Sequence, residues 1–317
     1  MDTIHTAIRK RIAAAQTIMV TTHLRPDGDA VGSLLGLGLA LEDAGKTVQM
    51  VSLDGVPSTF RHLPGSARVH KKPDGAFDLM IAVDCADHTR AGTVFDGFGK
   101  PGINIDHHIT NDLFADLNLV EVEQAATCAI LFDHLADWRL KLTRDIASAL
   151  LTGIITDTLG FRTTSTTPRV LRQAAGLFDT GIDMHELYMR GLVRKSFDAA
   201  RYWGAGLSSI QRANGMVWAT LNLEDRKASG YTTNDDADLI NHISAIDDSS
   251  VALIFVEQHH GKVKVSWRAQ KPGMDVARVA QQFGGGGHQA ASGAEIAGEM
   301  TEVQEKVLAV TRQMLGL

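Results

Sequence analysis

The stretch Thr17-Ile-Met-Val-Thr-Thr-His23-Leu-Arg-Pro-Asp27-Gly-Asp29-Ala30 decides the reading of the fold. Its first six residues form an apolar, β-branched run with the length of a buried strand, and the run stops on a histidine. Pro26 and Gly28 turn the chain, and Ala30 to Ala44 then has helical spacing up to Gly45. A strand that passes through a tight turn into a helix is the repeating unit of a parallel α/β sheet. In such sheets the functional groups gather at the carboxyl ends of the strands. His23, Asp27 and Asp29 fall at such an end.

The same pattern continues outward. Thr47–Leu53, Leu79–Asp84 and Gly102–Asp106 read as strands, and Thr127–Trp138, Arg144–Thr156, Pro168–Thr180 and Met184–Gly191 read as helices. Ile4, Ile8 and Ile12 suit one face of a helix ahead of the first strand. The alternation predicts a parallel sheet with helices on both faces. Lys195 to Ile210 fits a connecting helix. Beyond it come strands at Met216–Leu221, Val251–Gln258 and Lys262–Ala269, the last two joined at His260-Gly261. Helices fit Asp238–Ile246, Asp275–Phe283 and Thr301–Leu315. At 317 residues the chain suits two domains. We expect an α/β fold: a parallel-sheet domain over 1–190, a linking helix over 191–210, and a smaller α/β domain over 211–317. The active site is expected in the cleft between the two domains.

Composition narrows the function. Thirty-one Lys and Arg against 37 Asp and Glu leave a net charge of −6, which argues against a long nucleic-acid track, since such binding neutralises many phosphates. Short nucleotides in a local pocket remain open. No run of about 18 apolar residues occurs, so no membrane partner is expected, and Arg9, Lys10 and Arg11 interrupt any leader-like stretch. Cys85 and Cys128 form no CxxC pair and read as buried thiols, which suits a reducing, cytoplasmic location.

Further acids and imidazoles end other elements: Asp84 closes LMIAVD, Asp106-His107-His108 closes GINID, and Asp157 stands in GIITDTLGF. One Asp after a strand is usually a cap or turn former, and one His is usually structural. Together at one rim they repel unless cations hold them. Carboxylate oxygen with imidazole nitrogen suits Mn²⁺, Fe²⁺, Zn²⁺ or Co²⁺, and the lack of thiolates argues against a structural zinc. Five or six ligands exceed the needs of one ion, whereas two ions sharing a carboxylate would use them all, an arrangement suited to in-line attack on phosphorus. In the second half Gly284, Gly285, Gly286 and Gly287 could aim N–H groups at an anion, with His288 and Arg268 as further phosphate contacts. Arg162 is a weaker candidate.

These residues carry a resemblance. His23-x-x-x-Asp27-x-Asp29, Asp84, Asp106-His107-His108-x-x-Asn111 and Asp157-Thr158 resemble the ordered motifs of the DHH phosphoesterase superfamily. GGGGHQAASG at 284–293, preceded by Val265-Ser-Trp-Arg268, resembles the DHH-associated C-terminal domain. Order, spacing and length most resemble the bifunctional oligoribonuclease and pAp phosphatase group. The resemblance implies that His23, Asp27 and Asp84 hold one divalent ion and that Asp29, Asp84, His107 and Asp157 hold a second, with Mn²⁺ expected. His108 would face the phosphate as charge stabiliser or proton donor. Asp106 would orient a neighbouring imidazole, and Asn111 would either do the same or stabilise the turn. The implied reactions are hydrolysis of short RNA to mononucleotides and of pAp to AMP. The alternatives are a phosphodiesterase for cyclic di-AMP or linear dinucleotides, and a non-catalytic nucleotide-binding module. A homodimer is the expected assembly. Ser292 and Ile130 depart from the family pattern, where many relatives carry glycine and glutamate.

Overall fold

The apolar runs of the first half pair as a parallel sheet in the computed structural model, which describes residues 3–317. The strands β1 (Thr17–Thr21), β2 (Thr47–Val51), β3 (Leu79–Val83), β4 (Ile103–Asp106) and β5 (Leu117–Val120) lie in the order β2-β1-β3-β4-β5, all parallel. From β1 the chain steps to one side for β2 and later to the other side for β3. The direction of winding therefore reverses between β1 and β3, and open α/β sheets take ligands in the crevice beyond such a reversal. His23 follows β1, Asp84 follows β3 and Asp106 ends β4, so three adjacent strands deliver the candidate groups to one rim. Strand β5 has no counterpart among the expected strands, because LNLV between Asp116 and Glu121 is too short to show a period.

Alternating side chains divide the strands between two layers. Ile18, Val20, Ile81, Val83, Ile103 and Ile105 join a core with α1 (Ile4–Ala14), α2 (Gly28–Asp43), α3 (Thr127–His134), α4 (Arg144–Asp157), α5 (Pro168–Phe178) and α6 (Met184–Tyr188). Met19, Val51 and Ala82 face the other way, against Cys85, Ala91, Val94 and Phe95 from the turns that follow β3. The expectation of helices on both faces is thus corrected: turns close the second face. Two helices also stop early. The α3 helix ends at His134 instead of Trp138, and α6 gives way at Met189 to one π-helical turn over Met189–Val193.

A glycine seam joins α2 to α4. Gly28, Gly32 and Gly36 recur every fourth residue, on one face of α2. A Cβ at Gly28 would lie 2.2 Å from Thr156 Oγ1, one at Gly32 would lie 2.5 Å from the Ala149 carbonyl, and one at Gly36 would lie 2.5 Å from Leu150 Cδ2. From the facing helix, Gly153 meets Cys128 and Asp29 in the same way. The backbones therefore approach more closely than side chains would allow.

The second unit, Lys195–Leu317, is smaller. It contains α7 (Phe197–Ser208), β6 (Gln211–Ala213), β7 (Met216–Leu221), α8 (Leu223–Ser229), α9 (Ile240–Ile243), β8 (Val251–Gln258), β9 (Lys262–Ala269), α10 (Val276–Gln281), β10 (Gly286–His288), β11 (Ala291–Ala297) and α11 (Met300–Leu315). The sheet order is β10-β11-β9-β8-β7-β6, parallel only between β7 and β8. The sequence VALIFVEQ of β8 is continuously apolar because both of its faces are buried. Val251, Leu253 and Phe255 pack with α10 and α11, while Ala252, Ile254 and Val256 pack with α7 and α9. The connecting helix α7 belongs to this unit, with Tyr202 fully buried in its core. The helix read at Asp238–Ile246 shrinks to α9, since Ala237 and Asp238 take positive φ just before it. Strands β10 and β11 escaped notice because Gly and Ala carry little strand propensity. Of the two family departures, Ser292 is buried and donates its hydroxyl to the Val276 carbonyl at 2.7 Å, and Ile130 is fully buried in the first core.

The seam predicts an asymmetry between glycines. Gly32→Ala will destabilise the protein by about 1–3 kcal/mol, the usual cost of overpacking. Gly204→Ala, on an exposed part of α7 with nothing within 4 Å, will stabilise it by about 0.5–1 kcal/mol. Denaturant midpoints of the two variants, compared with the parent, check both signs.

Candidate metal centre

Each candidate side chain is placed by the end of a regular element. Asp27 is the N-cap of α2, and its Oδ1 accepts from the N–H groups of Asp29 and Ala30 at 3.1 and 3.0 Å. Asp29, in the first turn of α2, is buried and caps a different helix. Its carboxylate accepts from Thr127 N at 2.6 Å and Cys128 N at 3.0 Å, at the start of α3, whose own N-cap residue Ala126 has no side-chain acceptor. Asp84 has a left-handed backbone with φ of 53°, a strained state for a non-glycine residue that is typical of functional sites. Its N–H still bonds the Ile105 carbonyl at 2.9 Å, which ties the strained residue to the neighbouring strand. Asp157 is the last residue of α4.

The ends converge. Donor atoms of His23, Asp27 and Asp84 lie within 4.8 Å of one another, and so do those of Asp29, His107 and Asp157. Asp84 stands between the two groups. Its Oδ2 is 3.5 Å from His23 Nε2, and its Oδ1 is 3.8 Å from His107 Nε2. His107 Nε2 also lies 3.9 Å from Asp29 and 3.6 Å from Asp157.

The imidazoles are held in one orientation. His23 Nδ1 lies 2.8 Å from the Leu24 carbonyl, and His107 Nδ1 lies 3.3 Å from the Gln124 carbonyl. A carbonyl only accepts, so Nδ1 carries the proton in each ring. In the neutral rings, Nε2 then presents a lone pair to carboxylate oxygens. Acceptors facing acceptors in a buried site call for a cation, either a proton or a metal ion. Oxygen and nitrogen donors with no thiolate suit a divalent ion of the Mn²⁺ or Zn²⁺ kind, so the residues fit a metal centre.

Titration reflects the crowding. Burial raises Asp29 well above the carboxylate range, and Asp84 and Asp157 add to the rise. Burial also acts to raise Asp84, but the contacts with His23, His108 and His107 outweigh it and hold this carboxyl below its ordinary value. Burial would lower His107, yet the carboxylates of Asp157, Asp29, Asp84 and Asp106 raise it to about 9. Asp157 is raised to about 7, by desolvation first and by Asp27, Asp84 and Asp106 next, against the pull of His107. Its side chain is 30% exposed, so solvent screening tempers that rise.

His108 and Asp106 form a separate pair beside the cluster. His108 Nδ1 donates to Asp106 Oδ1 at 2.7 Å, and Asn111 donates to Asp106 Oδ2 at 2.6 Å. Asp106 therefore orients an imidazole, and Asn111 in turn orients Asp106. Asn111 also donates to Asn104 at 2.8 Å and accepts from Leu113 N at 2.8 Å, so it holds the turn as well. Thr127 was missed by the sequence reading. Its hydroxyl donates to Asp84 Oδ1 at 3.0 Å, and its only signal was a threonine at a helix start. Burial pushes the Cys85 thiol up to about 12, and both cysteines are free and buried.

Other candidates lie elsewhere. Arg162 is exposed, and its Nε donates to the Leu159 carbonyl at 3.0 Å. In the second unit, Arg268 sits on β9 with a guanidinium N–H on the Trp267 carbonyl at 3.0 Å. The glycine run is largely a helix end. Gly284, at φ of 72°, donates to the Gln281 carbonyl and Gly285 to the Ala280 carbonyl, which closes α10 as a Schellman cap. Gly286 and Gly287 then pair with Gly293 and Ser292 as strand β10. Two of the four N–H groups expected to meet an anion are thus already spent. The side chain of His288 lies outside the described residues. A further His5, His134 and Asp137 group could hold an ion by proximity, but both ring nitrogens of His134 are already engaged, by Glu121 at 2.7 Å and Asp137 at 2.9 Å.

Comparison with known proteins gives the context. Residues 17–154 match the DHH family N-terminal domain and residues 219–316 match the DHHA1 domain. A Thermus thermophilus protein named bifunctional oligoribonuclease and PAP phosphatase NrnA is 36% identical, covering 94% of this chain and 90% of its own. A Bacillus subtilis protein of the same name is 24% identical, covering 92% and 93%. Among solved structures, an exopolyphosphatase-related protein from Bacteroides fragilis superposes with a TM-score of 0.89 at 24% identity, covering 99% of this chain and 98% of that one.

The shifted groups fix the sign of a pH effect. His107 is raised from 6.5 to about 9, so its contribution to stability is complete below about pH 6.5 and is lost as the pH rises through 9. Asp157, raised to about 7, acts in the same sense over a lower range. The chelator-treated protein will therefore lose stability between pH 6 and 9, and divalent cations will restore most of it by taking the place of the lost protons. Thermal melts with EDTA or with MnCl₂ test this, and a midpoint that holds level or rises in EDTA contradicts it.

Proposed function

The chain belongs to the DHH family and is a phosphoesterase, and on that premise we propose that it hydrolyses short oligoribonucleotides to mononucleotides and pAp to AMP. The observation that carries the reading is Asp84, whose two oxygens each face a different, pre-oriented imidazole. His23, Asp27 and Asp84 would hold one divalent ion, and Asp29, Asp84, His107 and Asp157 a second. Four carboxylates against two neutral imidazoles carry −4, the charge that two divalent ions neutralise. Manganese suits this oxygen-rich donor set. When bound, such ions supply Lewis-acid stabilisation of phosphoryl oxygens and a lower pKa for the attacking water.

The remaining work falls to the chain. The Leu24 and Gln124 carbonyls keep the His23 and His107 rings turned inward. Thr127 fixes one oxygen of Asp84. Asp106, itself held by Asn111, takes the Nδ1–H of His108 and would stabilise the doubly protonated ring, whose Nε2–H is the proton offered to the phosphate or to the leaving oxygen. One chemistry serves both substrates, since RNA and pAp differ only in what leaves the phosphorus. The names of the relatives support this pair of substrates. In the second unit, Arg268, Gly286, Gly287 and His288 are the proposed phosphate contacts. Two free buried cysteines fit a cytoplasmic enzyme. Homodimers are the proposed assembly.

Incubating the protein and Mn²⁺ with pAp, pApA, cyclic di-AMP and a five-nucleotide RNA tests the reading. Cleavage of pAp and the RNA is expected. Cleavage of cyclic di-AMP or pApA alone would replace the reading with a dinucleotide phosphodiesterase, and cleavage of none would overturn it. Asp84→Ala will abolish turnover while the fold persists. Asp106→Asn will lower kcat by about 10²–10⁴-fold, the range for losing an oriented acid–base group, with little change in KM.

A further inference from the structure

A basic groove lies on the first unit, lined by Ser58, Thr59, Arg61, His62, Arg190 and Arg194, with a volume of about 560 Å³. It is open to solvent, which suits an extended strand better than an enclosed small ligand. Three guanidiniums in one concavity stand out in a chain whose net charge is −6. One carboxylate positions two of them: Glu186 Oε1 accepts from Arg190 Nε and, at 2.8 Å, from Arg194 NH1. The third, Arg61, is anchored through Nε to the Val56 carbonyl at 3.2 Å. Each anchoring bond uses one N–H of a fork that offers five, and all three residues remain exposed. The groove thus holds three oriented cations with donors to spare and one acid among them.

Its placement gives it a role. Arg190 and Arg194 stand on the π-helical turn Met189–Val193 and just after it, and such turns recur at functional sites. Gly191, inside that turn, packs on Thr156: a Cβ there would lie 3.4 Å from Thr156 Cγ2. Thr156 immediately precedes Asp157 of the metal centre. The same segment therefore supports the last turn of α4 and presents the arginines. Ser58 and Thr59, on the same segment as Arg61, are exposed and add hydroxyl donors.

We propose that this groove binds the phosphodiester backbone of an oligoribonucleotide substrate at nucleotides removed from the bond being cut. The inference rests on the oligoribonuclease reading above. Guanidinium forks match phosphate oxygens in pairs, and three of them suit a few successive phosphates. A patch of this size accepts short strands without the long basic track that the acidic chain lacks. A mononucleotide bisphosphate, occupying only the metal centre, does not reach it.

The test separates the two claims. Binding of a fluorescein-labelled five-nucleotide RNA is measured by anisotropy in EDTA, so the readout needs no turnover. In R61Q/R190Q/R194Q the Kd will rise at least ten-fold, and the slope of log Kd against log salt will flatten by about 2, at roughly 0.7 per phosphate contact. Glu186→Gln, which removes the only acid bonded to these arginines among the described residues, will tighten binding, a gain that misfolding does not produce. With Mn²⁺, the triple variant will show a raised KM for the RNA and an unchanged KM for pAp. A Kd within two-fold of the parent overturns the groove, and so does an equal effect on RNA and pAp, which would mark a site for a free nucleotide. Failure of the functional reading shows itself differently, as an unaltered protein that binds the RNA in EDTA but cleaves neither substrate.

Discussion

Four carboxylates and two imidazole lone pairs held within a few ångströms of one another oppose folding unless a cation joins them. Asp84 lies 3.5 Å from His23 and 3.8 Å from His107, and His107 lies 3.6 Å from Asp157. Inside a protein such charges lose their water and gain each other's field, so each group shifts to keep its neighbours tolerable. His107 rises to about 9 and Asp157 to about 7, while Asp84 stays ionised. Protons on His107 and Asp157 meet only part of the repulsion, which leaves the site receptive to divalent ions.

The surroundings hold this repulsive arrangement in place. The glycine seam lets α2 and α4 approach until Asp29 and the end of α4 share one space. Asp29 also caps α3, so part of its charge is met by two backbone N–H groups. Backbone strain at Asp84 is offset by its bond to Ile105 and by the pairing of β3 with β4. Local strain and repulsion are sustained because the core beneath is apolar and closely packed, with Val20, Val83 and Ile105 directly under the rim.

The two halves of the chain differ in how openly they declared themselves. In the first half, His23, Asp27, Asp84, Asp106 and His107 each follow an apolar run, so element ends were visible and the rim could be assembled on paper. In the second half the glycine run looked like a phosphate cradle. Its first two N–H groups instead close α10, because a glycine at φ of 72° is also what a helix end requires. A glycine run in sequence does not distinguish the two uses, since only the partner of each N–H decides.

By itself the sequence determined the parallel sheet, the two-part organisation of its patterns and the set of acids and imidazoles at strand ends. Hydrophobic period and abrupt polar stops are local properties, and the chain writes them in order. Only the tertiary structure decided that Asp84 meets both His23 and His107, that the Thr127 hydroxyl holds Asp84, and that Arg61 shares one groove with Arg190 and Arg194. Those relations join residues far apart in the chain. They arise from which strands pair and how closely two helices approach, and packing fixes both across the whole unit.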